Sequence, residues 1–219
     1  LLLDNFDDKQ KLEEFSKIIN QHCNYLLNII NDILDIAKIE SGQLQIKIEE
    51  CDLNKLFSEL TTFFIEQQKH LGKQHIKFKL QSYCTPAQNV ILTDNVKLRQ
   101  IFINLISNAF KFTETGTIEG GCKFDNNQNL IFFLSDTGIG IPIEKQDVIF
   151  KRFTQLDPGE NKLVSGTGLG LSIVKGLVGL MGSKILLESQ LGKGSTFSFA
   201  IPYTRIQFLQ KDSKVIEKK

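Results

Sequence analysis

The feature that most restricts the fold of this chain is a change of hydrophobic period at Ser41-Gly42. Upstream, apolar residues fall at Leu12, Phe15, Ile19, Leu26, Ile29, Ile33 and Ile36, in alternating three- and four-residue steps, with His22 filling the one gap. That spacing predicts one long helix over residues 9–40 with a heptad seam. A second line, Cys23, Ile30, Leu34 and Ala37, widens the seam to the breadth of a bundle helix. Asp4–Asp8 reads as a polar, cap-rich break and Leu1–Leu3 as the last turn of a preceding helix. The expectation is a truncated helical hairpin that a homodimeric four-helix bundle would complete. The only methionine is Met181, so the 219 residues are expected to be cut from a longer protein.

Past Gly42, a candidate left-handed helix cap, the pattern shortens. Leu44, Ile46 and Ile48 alternate as a strand, followed by a capped helix from Asp52 to about His70. Ile76–Leu80 and Val90–Leu92 read as strands, Asn95–Phe110 as an amphipathic helix, and Thr117–Phe124 with Leu130–Ser135 as a hairpin. Residues 137–165 lack a period and are too long for an ordinary connector, which predicts a functional lid. Thr167–Met181 returns to helix, then Lys184–Glu188 and Thr196–Ile201 to strands. The predicted fold class is α+β, a mixed sheet with helices on one face, preceded by a long bundle helix. The expected divisions are a partial helical hairpin over 1–42, the α+β domain over 43–203, and a tail or linker over 204–219.

Bulk properties exclude several classes. A net charge of +1 with acids and bases interleaved gives no basic stripe for nucleic acid. No apolar run approaches the ~20 residues of a membrane span, and no signal peptide opens the chain. The four cysteines lie far apart without CxxC or Cys/His spacing, which argues against zinc and for buried thiols in a reducing compartment.

Four motifs follow one another in an order that a nucleotide site needs: Asn104–Lys111, Asp136–Gly140, Gly166–Leu171 and Gly192–Thr196. Asn104, Asn108 and Lys111 share one helix face. An asparagine carbonyl is a neutral hard oxygen suited to Mg²⁺, and Lys111 can meet a phosphate as a point charge. Asp136 ends an apolar strand before Gly138 and Gly140, where a carboxylate can accept a hydrogen bond from an exocyclic amine such as that of adenine. Gly166-Thr167-Gly168-Leu169-Gly170 opens a helix whose amide groups suit phosphates. Singly, each also fits a plainer use: solvated asparagines, an aspartate-glycine turn, a glycine-rich helix start, a hairpin turn.

In this set and order the chain resembles the catalytic ATP-binding domain of sensor histidine kinases. Asn104–Lys111 resembles that family's N box and Asp136–Gly140 its first glycine box. Phe150-Lys151-Arg152-Phe153 resembles the F box, Gly166–Leu171 the second glycine box and Gly192–Thr196 the third. Leu26–Gly42 resembles the second helix of the dimerisation and phosphoacceptor domain. The likeness covers about residues 1–203 and implies an α/β sandwich of the Bergerat type, shared with gyrase, the large heat-shock chaperones and mismatch-repair ATPases.

It also implies roles. Asn108 is the Mg²⁺ ligand, Asn104 supports it, and Lys111 contacts phosphate. Asp136 binds adenine, with Gly138 and Gly140 shaping its pocket and Thr196 assisting through water. Gly166, Thr167, Gly168, Leu169 and Gly170 embrace the phosphates, Phe150 and Phe153 anchor the lid, and Arg152 approaches the phosphates. Lys162 stands where an arginine is often found, and Ser165 where a further glycine is common. Hydrolytic members of the superfamily carry glutamate in place of Asn104; a neutral amide cannot act as a base, which favours transfer to a protein acceptor. The implied activity is movement of the ATP γ-phosphoryl to a histidine and onward to a response-regulator receiver aspartate. A kinase core of this kind is expected in the cytoplasm. An ATP-gated interaction module and an ATPase are the alternatives. His22, His70 and His75 all lack the family's acceptor context, so the phosphoacceptor is expected upstream of this chain.

Overall fold

The structure is a computed structural model that describes residues 9–154 and 167–203. Helix α1 (Lys9–Glu40) ends where Gly42 takes a φ of 65° and the Gln43 N–H donates to the Lys38 carbonyl at 3.0 Å. Its apolar stripe is split. Ile36 is buried in the core, whereas Ile19, Leu26, Ile30, Ile33 and Leu34 are exposed.

The expected strand over Leu44–Ile48 is not formed. The Lys47 N–H is taken by the Asp94 carboxylate at 2.9 Å, and Ile48 is 61% exposed. Strand β1 is instead Glu49–Asp52, antiparallel to β3 (Val90–Thr93). Helix α2 (Leu53–His70) is capped by Asp52, whose carboxylate accepts from the Lys55 N–H. Helix α3 (Asn95–Phe112) is capped in the same way by Asp94.

The main sheet holds β2 (Lys77–Ser82), β4 (Thr117–Phe124), β5 (Leu130–Asp136), β7 (Gly194–Ile201) and β6 (Leu186–Gln190), in that spatial order. Only β2 and β4 run parallel. Alternation turns Leu130, Phe132, Leu134, Phe197, Phe199 and Ile201 into the core. There Phe132 stacks on Phe199 and meets the edge of Phe102 of α3, which in turn meets Phe57 of α2. The short helix α4 (Ile143–Gln146) interrupts the segment expected as a lid, and α5 (Gly170–Leu180) closes the layer. Ile39 of α1 lies against Gly176 of α5, where a side chain would press on it at 3.0 Å. The result is the expected α+β class. Among the described residues no helix is long and apolar enough to cross a membrane.

Two glycines separate backbone necessity from mere occupancy. Gly121 has a φ of 148°, and a Cβ there would overlap the Gln81 carbonyl of β2; Gly179 has nothing within 4 Å. Gly121→Ala should therefore destabilise the fold by at least about 2 kcal/mol. Gly179→Ala should stabilise it by about 0.5–1 kcal/mol, since helix entropy is the only change. Chemical denaturation of the two variants checks both signs.

Candidate functional site

Helix α3 delivers three side chains to one cleft because positions 104, 108 and 111 recur on one face. The cleft has a volume of about 590 Å³, and Asn104, Asn108 and Lys111 form one wall. Asp136 at the end of β5, the loop at Gly140, and Thr167, Gly168 and Gly170 before and at the start of α5 form the others. The motifs that lie apart in the chain thus meet in space.

Asp136 is the electrostatic focus of one end. Its Oδ1 accepts from the Gly138 N–H at 2.8 Å, and the carboxylate also accepts from the Ser195 N–H. Burial nevertheless pushes its pKa up, outweighing those two bonds. Glycine is required around it. A Cβ at Gly138 would overlap the Phe112 carbonyl, and one at Gly140, with φ 69°, would overlap the Gln190 carbonyl.

At the other end, the Asn104 Nδ2 donates to the Gln100 carbonyl at 3.2 Å, which leaves Oδ1 toward α5. A Cβ at Gly170 would come within 3.0 Å of that oxygen. Burial pushes the Lys111 pKa down, and its ammonium lies 5.0 Å over the Phe112 ring. Leu169 is fully buried, so it is packing rather than lining, while its N–H donates to the Thr167 hydroxyl. No side chain caps the start of α5, and Gly170 and Leu171 of its first turn line the cleft.

Several sequence expectations are corrected. Thr196 bonds the Ser135 hydroxyl at 2.8 Å on the opposite face of the sheet; Ser195, paired with Asp136, lines the cleft instead. Strand alternation dictates this parity. Arg152 does not reach the cleft wall, because it pairs with Glu40 at the end of α1. Phe150 is half-buried edge-on to Phe197, as an anchor would be, but Phe153 is 66% exposed. The Phe153 backbone rather than its ring is the contact, packed against Gly168. Lys162 and Gly166 lie outside the described residues.

Lys73 and Asp32 are among the lining residues that carry no motif. The Lys73 ammonium donates to the Phe110 carbonyl at 2.8 Å and the Thr113 carbonyl at 2.9 Å, tying down the end of α3 beside Lys111. Asp32 enters from α1 and accepts from the Thr167 hydroxyl at 3.4 Å. A lysine after a helix-ending glycine, and an acid on a bundle helix, carry no local signal of a cleft.

The family of histidine kinase-, DNA gyrase B- and HSP90-like ATPases matches residues 93–205, which hold all four motifs. The chain belongs to this family and carries its ATP-binding domain. It is 38% identical over 193 residues to the circadian input-output histidine kinase CikA of Synechococcus elongatus, covering 88% of this chain and 25% of that protein. It spans a quarter or less of the first curated relatives it matches. Among solved structures, full-length ShkA in complex with AMPPNP is similar at 26% identity and a TM-score of 0.73, covering 89% of this chain and 39% of that one. Histidine kinase ThkA in complex with the response regulator protein TrrA is similar at 25% identity and a TM-score of 0.66, covering 90% and 53%.

The Asp136 environment predicts a division between binding and stability. Its folded pKa is raised above the ordinary 3.8, so the folded state holds more protons between those two values. Stability contributed by this group therefore falls as pH rises through that window, and at neutral pH the buried charge is a cost. Asp136→Asn should weaken ATP binding by roughly 1.5–3 kcal/mol through loss of a charge-assisted hydrogen bond. It should not lower the unfolding midpoint at pH 7, and any gain should vanish below pH 3.8. Calorimetric titration and pH-dependent melting measure the two effects.

Proposed function

We propose that this chain is the kinase core of a sensor histidine kinase, moving the γ-phosphoryl of ATP to a histidine outside residues 1–219 for relay to a receiver-domain aspartate. The observation that carries this reading is the neutral amide of Asn104 in the cleft wall beside α5. Among the described residues the carboxylates that line the cleft are Asp32, Glu114 and Asp136, and none of them stands at the Asn104 position on α3. A neutral amide at this position cannot deprotonate water, which supports transfer over hydrolysis.

The chain's histidines support an external acceptor. His22, His70 and His75 are exposed, none lines the cleft, and the His75 ring bonds the Glu114 carbonyl oxygen.

The donor set fits a shared magnesium ion. Among the described residues no group of three or more His, Cys, Asp or Glu side chains could hold a metal by itself. Asn108 offers one neutral oxygen, which suits an ion that takes its other ligands from phosphates and water. Bound there, Mg²⁺ would neutralise charge on the transferring phosphoryl group. Asn108 would hold it, Asn104 would support Asn108, and Lys111 would add a positive charge beside the phosphates. Asp136 would accept from the adenine amine, with Gly138 and Gly140 admitting the ring. Thr167, Gly168 and Gly170 would present backbone to the phosphates, and the roles of Gly166 and Lys162, which lie outside the described residues, rest on the motif alone.

We further assign residues 1–42 to dimerisation, 43–203 to catalysis and 204–219 to a linker. The exposed apolar residues of α1 support a homodimer. A response-regulator receiver domain as partner and a cytoplasmic setting follow from the same reading. A second reading, an ATP-gated interaction module, draws on the Asp32–Thr167 contact that joins α1 to the cleft.

Incubated with γ-labelled ATP, the chain should retain the nucleotide and acquire no label, and Asn108→Ala should abolish magnesium-dependent binding in titration calorimetry. Asn104→Glu should release phosphate faster than the unaltered chain. Rapid hydrolysis by the unaltered chain, or phosphohistidine at His22, would overturn the assignment. Transfer to a histidine in a longer piece of the protein separates the kinase from the gated module.

A further inference from the structure

The motif boxes leave the cysteines unused, and two of the four lie together. The sulfurs of Cys84 and Cys122 are 3.8 Å apart. Cys122 is fully buried in β4, opposite Ser82 of β2. Cys84 follows the end of β2, where its N–H donates to the Ser82 hydroxyl at 3.2 Å. The Cys122 thiol lies 3.4 Å from the same hydroxyl, and the Tyr83 N–H donates to the Cys122 carbonyl at 2.9 Å. One hydroxyl and one backbone bond therefore hold both thiols in register.

The other two cysteines make the contrast. Cys51 is buried with its thiol 3.6 Å from Asn95 Oδ1, and Cys23 is exposed on α1.

We propose that Cys84 and Cys122 are an oxidisable pair that closes to an intrachain disulfide when the protein meets a hydroperoxide. Cys84 is the half-exposed member and the one that solvent can reach. Burial pushes the Cys122 thiol up to about 12, so it stays protonated and does not compete for the oxidant. The Cys84 thiolate attacks one peroxide oxygen; the O–O bond breaks, and the departing hydroxide takes a proton to become water. The resulting Cys84 sulfenic acid is then attacked by the Cys122 sulfur. The S–S bond forms as the S–O bond breaks, and the hydroxyl leaves as water with the Cys122 proton. Two thiols lose two hydrogens and two electrons, and hydrogen peroxide is reduced to two waters.

The loop closed by this bridge runs from residue 84 to residue 122 and contains all of β3 and α3. It therefore encloses Asn104, Asn108 and Lys111. A bridge restricts the unfolded chain most where it spans a long loop, so oxidation should hold this segment to the sheet.

The test uses the whole chain carrying Cys23→Ser, which removes cross-linking through the exposed thiol. After treatment with hydrogen peroxide, an unreduced digest analysed by mass spectrometry should contain the Cys84 peptide joined to the Cys122 peptide. Dithiothreitol should reverse this. The oxidised chain should melt at a higher temperature than the reduced one, and this difference should be absent in Cys84→Ser, which leaves the buried Cys122 in place. If both thiols remain open to alkylation after peroxide and unfolding, the proposal fails. It fails equally if Cys84 accumulates sulfinic acid beside a free Cys122, or if the bridge joins two chains. A bridge that forms without raising the melting temperature would overturn its hold on the α3 loop.

Discussion

The cleft depends on a meeting of backbones at the end of β5 that leaves no room for side chains. Asp136 carries its carbonyl against Gly194 of β7, Gly138 sits on the Phe112 carbonyl at the end of α3, and Gly140 sits on Gln190 of β6. The Ile139 N–H completes the junction by donating to the Phe112 carbonyl at 3.2 Å. Three elements are thereby drawn together at one point, and the carboxylate of Asp136 is turned into the space between them. Any Cβ at these glycines would push the floor of the cleft away from its helical wall. The position of α3, and with it the spacing between Asp136 and Asn108, follows from that junction.

Such close packing has an electrostatic consequence. The groups that face the cleft are kept from water, which raises the pKa of Asp136 and lowers that of Lys111, so that burial disfavours the charge on each. A ligand with a hydrogen-bond donor at one end and an anion at the other meets both groups in the form each is strained to keep. Lys73 plays a different part. Its ammonium is taken by the carbonyls of Phe110 and Thr113 and by the Glu114 carboxylate, so it fixes the helix end.

Much of this was legible in the chain because its information is local. A 3.6-residue period puts Asn104, Asn108 and Lys111 on one face whatever the fold, and clustered glycines announce close approach. The misses all depend on partners distant in sequence. Whether Ser195 or Thr196 faces the ligand is decided by register with Asp136, across 60 residues of chain. Leu44–Ile48 alternates as a strand should, but the Asp94 side chain captures the Lys47 N–H and the pairing begins only at Glu49. Arg152 reads as a phosphate ligand until Glu40 is seen beside it. Asp32 and Lys73 carry no pattern at all, because their roles arise where α1 and α2 end up.

Helix α1 is more than a handle on this domain. Asp32, Asp35 and Glu40 project from its last turns to Thr167, Gln100 and Arg152 in turn. The first of these contacts lies in the cleft wall itself, and burial pushes the Asp32 pKa up, with the Thr167 hydroxyl offsetting part of that cost. A polyphosphate beside α5 would compete for the same threonine and set like charge against the same carboxylate. Binding in the cleft and docking of α1 would then oppose each other, and linkage makes the opposition reciprocal: docking would weaken the anion by the same factor by which the anion weakens docking. Of these three acids only Asp32 lines the cleft, so α1 touches the site at one side chain and the body of the domain at two more.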